Sequence, residues 1–141
     1  MSKEIENNQG EPVLPLSERK IILFYRIAFV ITLIAIVFLA LASSSQLTFI
    51  PDFSDKIKHF IAFLVLTFLA DKSFVEGRYI MVKVLGLFTF GLLIEWAQSF
   101  TSYRYTEWND VVADVVGIGC YWVSIFIFNA QNKRLKKPPE A

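Results

Sequence analysis

Cysteine and histidine each occur once in this chain, as Cys120 and His59. A single cysteine cannot form a disulfide within the chain, so the redox state of its compartment stays open. The same two counts exclude zinc sites built from several cysteine and histidine ligands. The sequence also lacks an internal repeat, a glycine-rich phosphate loop and a G-x-S-x-G nucleophile motif. These absences remove several common classes of enzyme and metal site.

Apolar residues, by contrast, are abundant and come in long blocks. They make up 55% of the 141 residues, and the mean hydropathy is +0.49. The blocks are apolar on every side of a helix, as lipid-facing helices are, and lack the period of an amphipathic helix or strand. They cover residues 21–42, 57–70, 79–100 and 111–130. A bilayer core about 30 Å thick needs about 20 helical residues.

The second block reaches that length only if its helix begins near Ser54 or Asp55, which can cap it, and runs to about residue 74. We therefore predict an all-α polytopic membrane protein with four transmembrane helices. The first block exceeds the 7–15 apolar residues usual for a signal peptide, so we expect it to be retained as a span. The predicted domains are a flexible tail (1–19), a four-helix transmembrane domain (20–130) and a basic tail (131–141).

Basic residues are sorted by side of the membrane under this arrangement. The predominant side carries Lys3, Arg19, Lys20, Arg26, Lys72, Arg78, Lys83, Lys133, Arg134, Lys136 and Lys137, and the other side Lys56, Lys58 and Arg104. The side with excess Lys and Arg is normally cytoplasmic. The prediction is a multi-pass protein of a bacterial inner or plasma membrane with both termini cytoplasmic. Its partners would be the lipid bilayer and an envelope component, with no nucleic acid.

Polar residues of three predicted spans converge on the opposite, outer side. Each pair is three or four residues apart and so shares a helix face: Asp55 with His59, Glu95 with Gln98, and Asp110 with Asp114. Lys56 adjoins the first pair, and Arg104 lies in the loop between spans three and four. His59 and Asp114 each lie about 6 Å below a helix start. The sequence thus predicts one polar pocket just beneath the outer surface.

Insertion energies restrict how these carboxylates are arranged. A carboxylate at the centre of a membrane helix costs about 2.5–3.5 kcal/mol, and less near the interface. We therefore expect Glu95 and Asp114 to face the bundle interior and pair with Arg104, Lys56 or His59. The small residues Ala113 and Gly117, four apart, predict a close approach of span four to a neighbour. Lys83 and Arg26 lie near span ends, where they are expected to snorkel toward water.

Four interpretations of the pocket stay open. In the first, the polar groups only fix the helix bundle, and in the second they bind a headgroup or other envelope molecule. In the third they form a proton or cation path, and in the fourth they hold a divalent cation. No second polar layer is expected below the pocket, which argues against transport. Neither a cofactor nor a metal is assigned, since only the geometry of the ligand atoms could strengthen the case for a metal site. Binding of a phosphate would require the carboxylates to be paired off or bridged by a metal.

The same residues carry a family resemblance. The segments DKIKHF at 55–60, EWAQSF at 95–100 and DVVADVVG at 110–117 fall in order on spans two, three and four, with Arg104 in the loop between the last two. They resemble the VanZ-like family of small bacterial membrane proteins, whose pattern is D-K-x-x-H-F, E-x-x-Q-x-F, R and D-x-x-x-N-x-x-G. The resemblance covers about residues 20–130. Asp114 departs from it, because many members have Asn there.

The resemblance implies a role in the cell envelope, since the founding member of the family is associated with low-level resistance to the glycopeptide teicoplanin. It carries over the site residues Asp55, Lys56, His59, Glu95, Gln98, Arg104 and Asp110, with Asp114 as a variant. We expect the pocket to engage a surface lipid or cell-wall component. Two alternatives remain, a structural protein whose ion pairs only fix the bundle, and a membrane enzyme that uses His59 with Glu95 or Asp114.

Overall fold

The computed structural model describes residues 5–6, 12–13, 15–42, 54–75, 77–101 and 107–135. Four long helices dominate it. They are α1 (Leu16–Leu41), α2 (Asp55–Ser73), α3 (Ile80–Gln98) and α4 (Trp108–Leu135). A short 3-10 turn, Gly77–Tyr79, leads into α3. Two strands of two residues each, β1 (Ile5–Glu6) and β2 (Pro12–Val13), pair antiparallel before α1.

The helices agree with the predicted spans in number and order, and the largest differences are at two boundaries. Helix α1 begins at Leu16, inside the predicted tail 1–19, and α4 continues to Leu135, inside the predicted tail 131–141. Helix α2 begins at Asp55, as its short apolar block required, although Ser54 makes no side-chain capping bond. Both longer helices extend through polar and basic residues, because straight-chain residues such as Glu, Arg and Lys are good helix formers.

Three of the described helices, α1, α3 and α4, are long and apolar enough to cross a membrane. They indicate a membrane protein. Helix α2 has 19 residues but carries charged residues in its first and last turns. Its span stays a prediction.

Neighbouring helices run antiparallel, and α2 lies in the middle of the bundle. Arg26 of α1 donates a hydrogen bond to the carbonyl oxygen of Ser73 at the end of α2 (3.1 Å). At the opposite end, Gln98 of α3 donates to the carbonyl oxygen of Ala40 near the end of α1 (3.0 Å). The end of α1, the start of α2, the end of α3 and the start of α4 thus share one end of the bundle. We call this the site end and the opposite one the basic end.

The described part of the bundle has a small core and an apolar exterior. Residues from α2, α3 and α4 form the core: Phe63, Leu66, Ala70, Leu87, Ile94 and Ile118. Helix α1 buries none of its residues, and its outward side chains include Phe24, Ile31 and Phe38. In lipid such a face needs no cover, and helices associate through close packing and polar contacts rather than through exclusion of water.

The most extensive helix contact joins α2 and α4, and the small residues of span four predicted a close approach to a neighbour. A methyl group placed on Gly117 would lie 2.6 Å from the carbonyl oxygen of Phe60 and 3.1 Å from the backbone nitrogen of Leu64. Only a glycine hydrogen fits between these two backbones. This approach brings Asp114, one turn before Gly117, against α2.

Candidate functional site

Four ionisable side chains from three helices meet at the site end. We call His59, Glu95, Asp110 and Asp114 the histidine–carboxylate cluster. Helix α2 supplies the histidine in its second turn, α3 supplies the glutamate in its last turn, and α4 supplies both aspartates. Their exposed fractions are 9% for His59, 4% for Glu95, 5% for Asp110 and 1% for Asp114. All four are interior groups.

The His59 ring is held between two carboxylates. Its Nδ1 atom lies 2.9 Å from Oδ1 of Asp114, a hydrogen-bond distance. Its Nε2 atom lies 3.8 Å from Oε1 of Glu95, too far for a hydrogen bond. When Asp114 is ionised it accepts a hydrogen bond from the Nδ1–H group, so the neutral ring keeps its proton on Nδ1 and Nε2 carries the free lone pair. That lone pair faces Glu95.

Several carboxylate oxygens of the cluster have no hydrogen-bond partner among the described residues. They are both oxygens of Glu95, Oδ1 of Asp110 and Oδ2 of Asp114. The backbone N–H of Glu107 interacts with the Glu95 carboxylate, outside hydrogen-bond geometry. Buried polar atoms are nearly always paired in proteins, and an unpaired buried charge is costly. The cluster therefore has acceptor capacity that the described side chains leave unused.

Gly91 makes room for the cluster and was not singled out from the sequence. A methyl group at this position would lie 2.6 Å from Oδ2 of Asp114 and 3.2 Å from the Phe63 ring. Asp114 can reach His59 only because α3 has no side chain there. The sequence feature that could have identified Gly91 is its position four residues before Glu95, on the same helix face.

Three described residues predicted for the pocket lie outside the cluster, and a fourth is not among the described residues. Asp55, one turn before His59, is exposed and accepts a hydrogen bond from Lys58 (3.1 Å), so it lies outside the buried cluster. Lys56 pairs with Glu107 (2.7 Å), which the sequence analysis missed, rather than with Glu95 or Asp114. Gln98 is buried, but its amide ties α3 to α1. Arg104 lies outside the described residues.

A second polar network lies at the basic end, where none was expected. Asp71 of α2 accepts hydrogen bonds from Lys83 of α3 (3.2 Å), Tyr121 of α4 (2.8 Å) and the adjacent Lys72 (3.4 Å). We call these four residues the Asp71 network. Lys83 was expected to snorkel, yet its side chain is 4% exposed and its ammonium lies 5.9 Å from the centre of the Trp122 ring. Burial beside a carboxylate and an aromatic face replaces contact with water.

An apolar layer separates the two polar regions. Along α2, His59 and Asp71 are twelve positions apart, a rise of about 18 Å. Core residues such as Phe63, Leu66 and Ile118 fill that interval. The expectation of a single polar layer was therefore wrong.

The cluster has the components for two kinds of chemistry. A histidine oriented by an aspartate can act as a general base or acid. Ligand atoms of His59, Glu95 and Asp110 also lie within 4.8 Å of one another, close enough to hold a metal ion. Lys56 and Lys58 are engaged with Glu107 and Asp55, so among the described residues the cluster has three carboxylates and only one potential cation.

Comparison of the chain with protein-family models, curated proteins and solved structures gives no match.

Proposed function

We propose that this chain is a VanZ-like integral membrane protein of the bacterial inner or plasma membrane, with four spans and both termini in the cytoplasm. In this proposal the site end faces outward, and the histidine–carboxylate cluster engages a surface lipid or cell-wall component. The resemblance of segments 55–60, 95–100 and 110–117 to the family pattern supports the assignment. The position of Glu95, Asp110 and His59 in one buried cluster supports a site at those segments.

The charge distribution of the bundle supports the proposed topology. Arg19, Lys20, Lys133 and Arg134 lie in α1 and α4 toward the basic end, where Lys72 and Lys83 also lie. The described lysines of the site end are Lys56 and Lys58. An excess of Lys and Arg favours the cytoplasmic side. Helix α2, at about 1.5 Å per residue, is about 28 Å long, close to the hydrocarbon thickness.

One observation carries the functional part of the proposal, namely the contrast between the two polar networks. Both oxygens of Asp71 accept hydrogen bonds from cationic or hydroxyl groups, as expected of a tie that stabilises the bundle. The cluster instead leaves both oxygens of Glu95 and one of Asp110 unpaired among the described residues. Ionisable groups inside membrane bundles are costly and commonly functional. A purely structural role would not require the unpaired carboxylates.

A second candidate function is a membrane enzyme, favoured by the contact between Asp114 and His59. With Nδ1 held by Asp114 at 2.9 Å, Nε2 is available to take a proton from a bound substrate. Glu95 lies on that side of the ring and, in its protonated form, would be the acid that donates its own proton to the substrate. The two candidates share the site and differ in whether the bound component is altered.

The topology predicts which ends of the helices are accessible from outside the cell. In a Cys120→Ser background, Asn109→Cys and Gln131→Cys each introduce one exposed cysteine, at the site end and the basic end respectively. A membrane-impermeant maleimide added to intact cells should label the first variant and not the second. Permeabilised cells should label both. Labelling of only the second in intact cells would reverse the orientation and place the cluster on the cytoplasmic side.

The envelope role predicts that resistance depends on Glu95. In a teicoplanin-sensitive Gram-positive host, we expect the wild type to raise the inhibitory concentration of teicoplanin. Glu95→Gln at matched membrane abundance should abolish the increase, because the amide cannot supply the carboxylate charge. Glu18→Gln, an exposed acidic position at the basic end, serves as the matched control and should behave as wild type.

Other outcomes separate the alternatives. If neither wild type nor variant changes susceptibility, the glycopeptide link fails for this chain. If both raise it equally, Glu95 is at most structural. His59→Ala then tests the purely structural alternative, in which function should fall only in proportion to the amount of folded protein.

A further inference from the structure

The arrangement of the histidine–carboxylate cluster points to a metal site. We propose that His59, Glu95 and Asp110 bind a divalent transition-metal ion such as Zn²⁺ or Mn²⁺, and that Asp114 orients the histidine. Metal binding goes beyond the proposed envelope role. Only its use in recognising a ligand rests on that proposed function.

The spacing of the ligand atoms suits one ion. Two atoms that each lie about 2.1 Å from a metal are about 3.0–4.2 Å apart, depending on the angle at the metal. Nε2 of His59 and Oε1 of Glu95 are 3.8 Å apart, within this range. Ligand atoms of all three residues lie within 4.8 Å of one another. Side-chain adjustments of less than about 1 Å would bring them to coordination distance.

The unpaired oxygens supply a separate reason for a cation. Glu95 and Asp110 are 4% and 5% exposed, and both oxygens of the first and Oδ1 of the second lack hydrogen-bond partners among the described residues. The nearby lysines are engaged elsewhere, Lys56 with Glu107 and Lys58 with Asp55. A divalent ion would offset the charge of two buried carboxylates, which a single imidazolium cannot do.

Asp114 has the geometry of a residue that supports a metal ligand. A histidine that binds metal through one nitrogen usually donates its other N–H to a carboxylate or carbonyl. Asp114 Oδ1 lies 2.9 Å from Nδ1 of His59, which leaves Nε2 as the ligating atom. Gly91 leaves room for this carboxylate. The structure thus contains both the ligands and the support that a histidine ligand requires.

The donor atoms select the kind of metal. One imidazole nitrogen with two carboxylates suits Zn²⁺ and Mn²⁺, whereas Mg²⁺ and Ca²⁺ prefer oxygen ligands alone. Three protein ligands leave a coordination position for water or an anionic group. Such a position would let an acidic cluster accept a phosphate-bearing headgroup.

Metal content and affinity test the proposal directly. The full chain, with Cys120→Ser and a tag without histidine, is purified in detergent, treated with chelator and dialysed against Mn²⁺ or Zn²⁺. We expect about one ion per chain by elemental analysis. Calorimetric titration should show weaker binding of Mg²⁺ and Ca²⁺. Failure of the folded protein to retain either transition metal would overturn the proposal.

Because the chain has one histidine, spectroscopy can identify the site without a variant. Electron spin echo measurements on the Mn²⁺-loaded protein should show coupling to an imidazole nitrogen, which only His59 can provide. Bound Mn²⁺ without that coupling would mean adventitious binding to surface carboxylates and would exclude this site.

Substitutions then test the ligands individually. Glu95→Gln, Asp110→Asn and His59→Gln should each weaken binding by about 100-fold or more, and Asp114→Asn by about 10–100-fold. Glu18→Gln should bind as wild type. Each variant is compared only if its circular dichroism and elution volume match the parent. Folded ligand variants with unchanged affinity would contradict the proposal.

The proposed function and the metal site can fail separately. Metal binding with no effect on teicoplanin susceptibility would contradict the envelope role alone. Susceptibility that depends on Glu95, in a protein that binds no metal, would contradict the metal site alone.

Discussion

Asp71→Ala is expected to lower the free energy of unfolding by about 2–4 kcal/mol, less than the loss of about 3–5 kcal/mol typical of a fully buried ion pair, because the Asp71 side chain is 21% exposed. The substitution leaves the Lys83 ammonium, whose side chain is 4% exposed, without its carboxylate. It also removes the acceptor of the Tyr121 hydroxyl. One substitution thus removes polar contacts of both α3 and α4 with the end of α2. Titration of the protein with SDS in mild-detergent micelles, followed by far-ultraviolet circular dichroism, measures this loss.

Two further variants isolate the buried charge as the cause. Adding Lys83→Met to Asp71→Ala should recover at least about half of the loss, because a buried pair replaced by apolar groups is often tolerated. Lys72→Ala removes a contact to the same carboxylate from a side chain that is 42% exposed, and should cost less than about 1 kcal/mol. If Asp71→Ala costs no more than Lys72→Ala, the Asp71 network does not stabilise the bundle.

Gly117→Ala is expected to destabilise the protein by about 1–3 kcal/mol, as overpacking of a well-packed interior does. The added methyl group would meet the Phe60 carbonyl oxygen at 2.6 Å and the Leu64 nitrogen at 3.1 Å. These are backbone atoms and cannot turn aside, so α2 and α4 must separate. The same SDS titration measures the change.

Gly119→Ala is the matched control, two residues further along α4. A methyl group there meets nothing within 4 Å, and the better helix propensity of alanine favours it by up to about 1 kcal/mol. The control should therefore be neutral or slightly stabilising. Equal destabilisation by both variants would mean that helix α4 itself, and not its contact with α2, is sensitive to substitution.

The sequence predicted the elements of the site better than their contacts. The expectation that Asp114 pairs with Arg104, Lys56 or His59 came from the cost of a lipid-facing carboxylate, and the structure pairs it with His59. The close approach at Gly117 followed from the small residues of span four. Asp55 and His59 share a helix face by periodicity, but that face spans a wide arc, with Asp55 on its exposed side and His59 on its buried side. Periodicity alone cannot distinguish those sides.

The partners of the charged residues were harder to predict. The sequence offers several carboxylates as partners for Lys56. Lys56 pairs with Glu107 because of how α2 and the start of α4 are placed relative to each other. Lys83 was expected to reach water because it lies near a span end, but rotation of α3 points it toward Asp71. In both cases the side chain is long, and its partner is set by the orientation of a neighbouring helix.

Composition and hydrophobic pattern alone were enough to establish an all-helical chain with apolar helices at these positions, since long apolar blocks have few other stable solutions. The uneven distribution of basic residues along the chain was also evident from the sequence without a structure. The central position of α2, the room that Gly91 leaves for Asp114, and the unpaired carboxylates of Glu95 and Asp110 emerged only from the packed bundle. They depend on helix rotation and on contacts between distant segments, and local sequence patterns constrain neither.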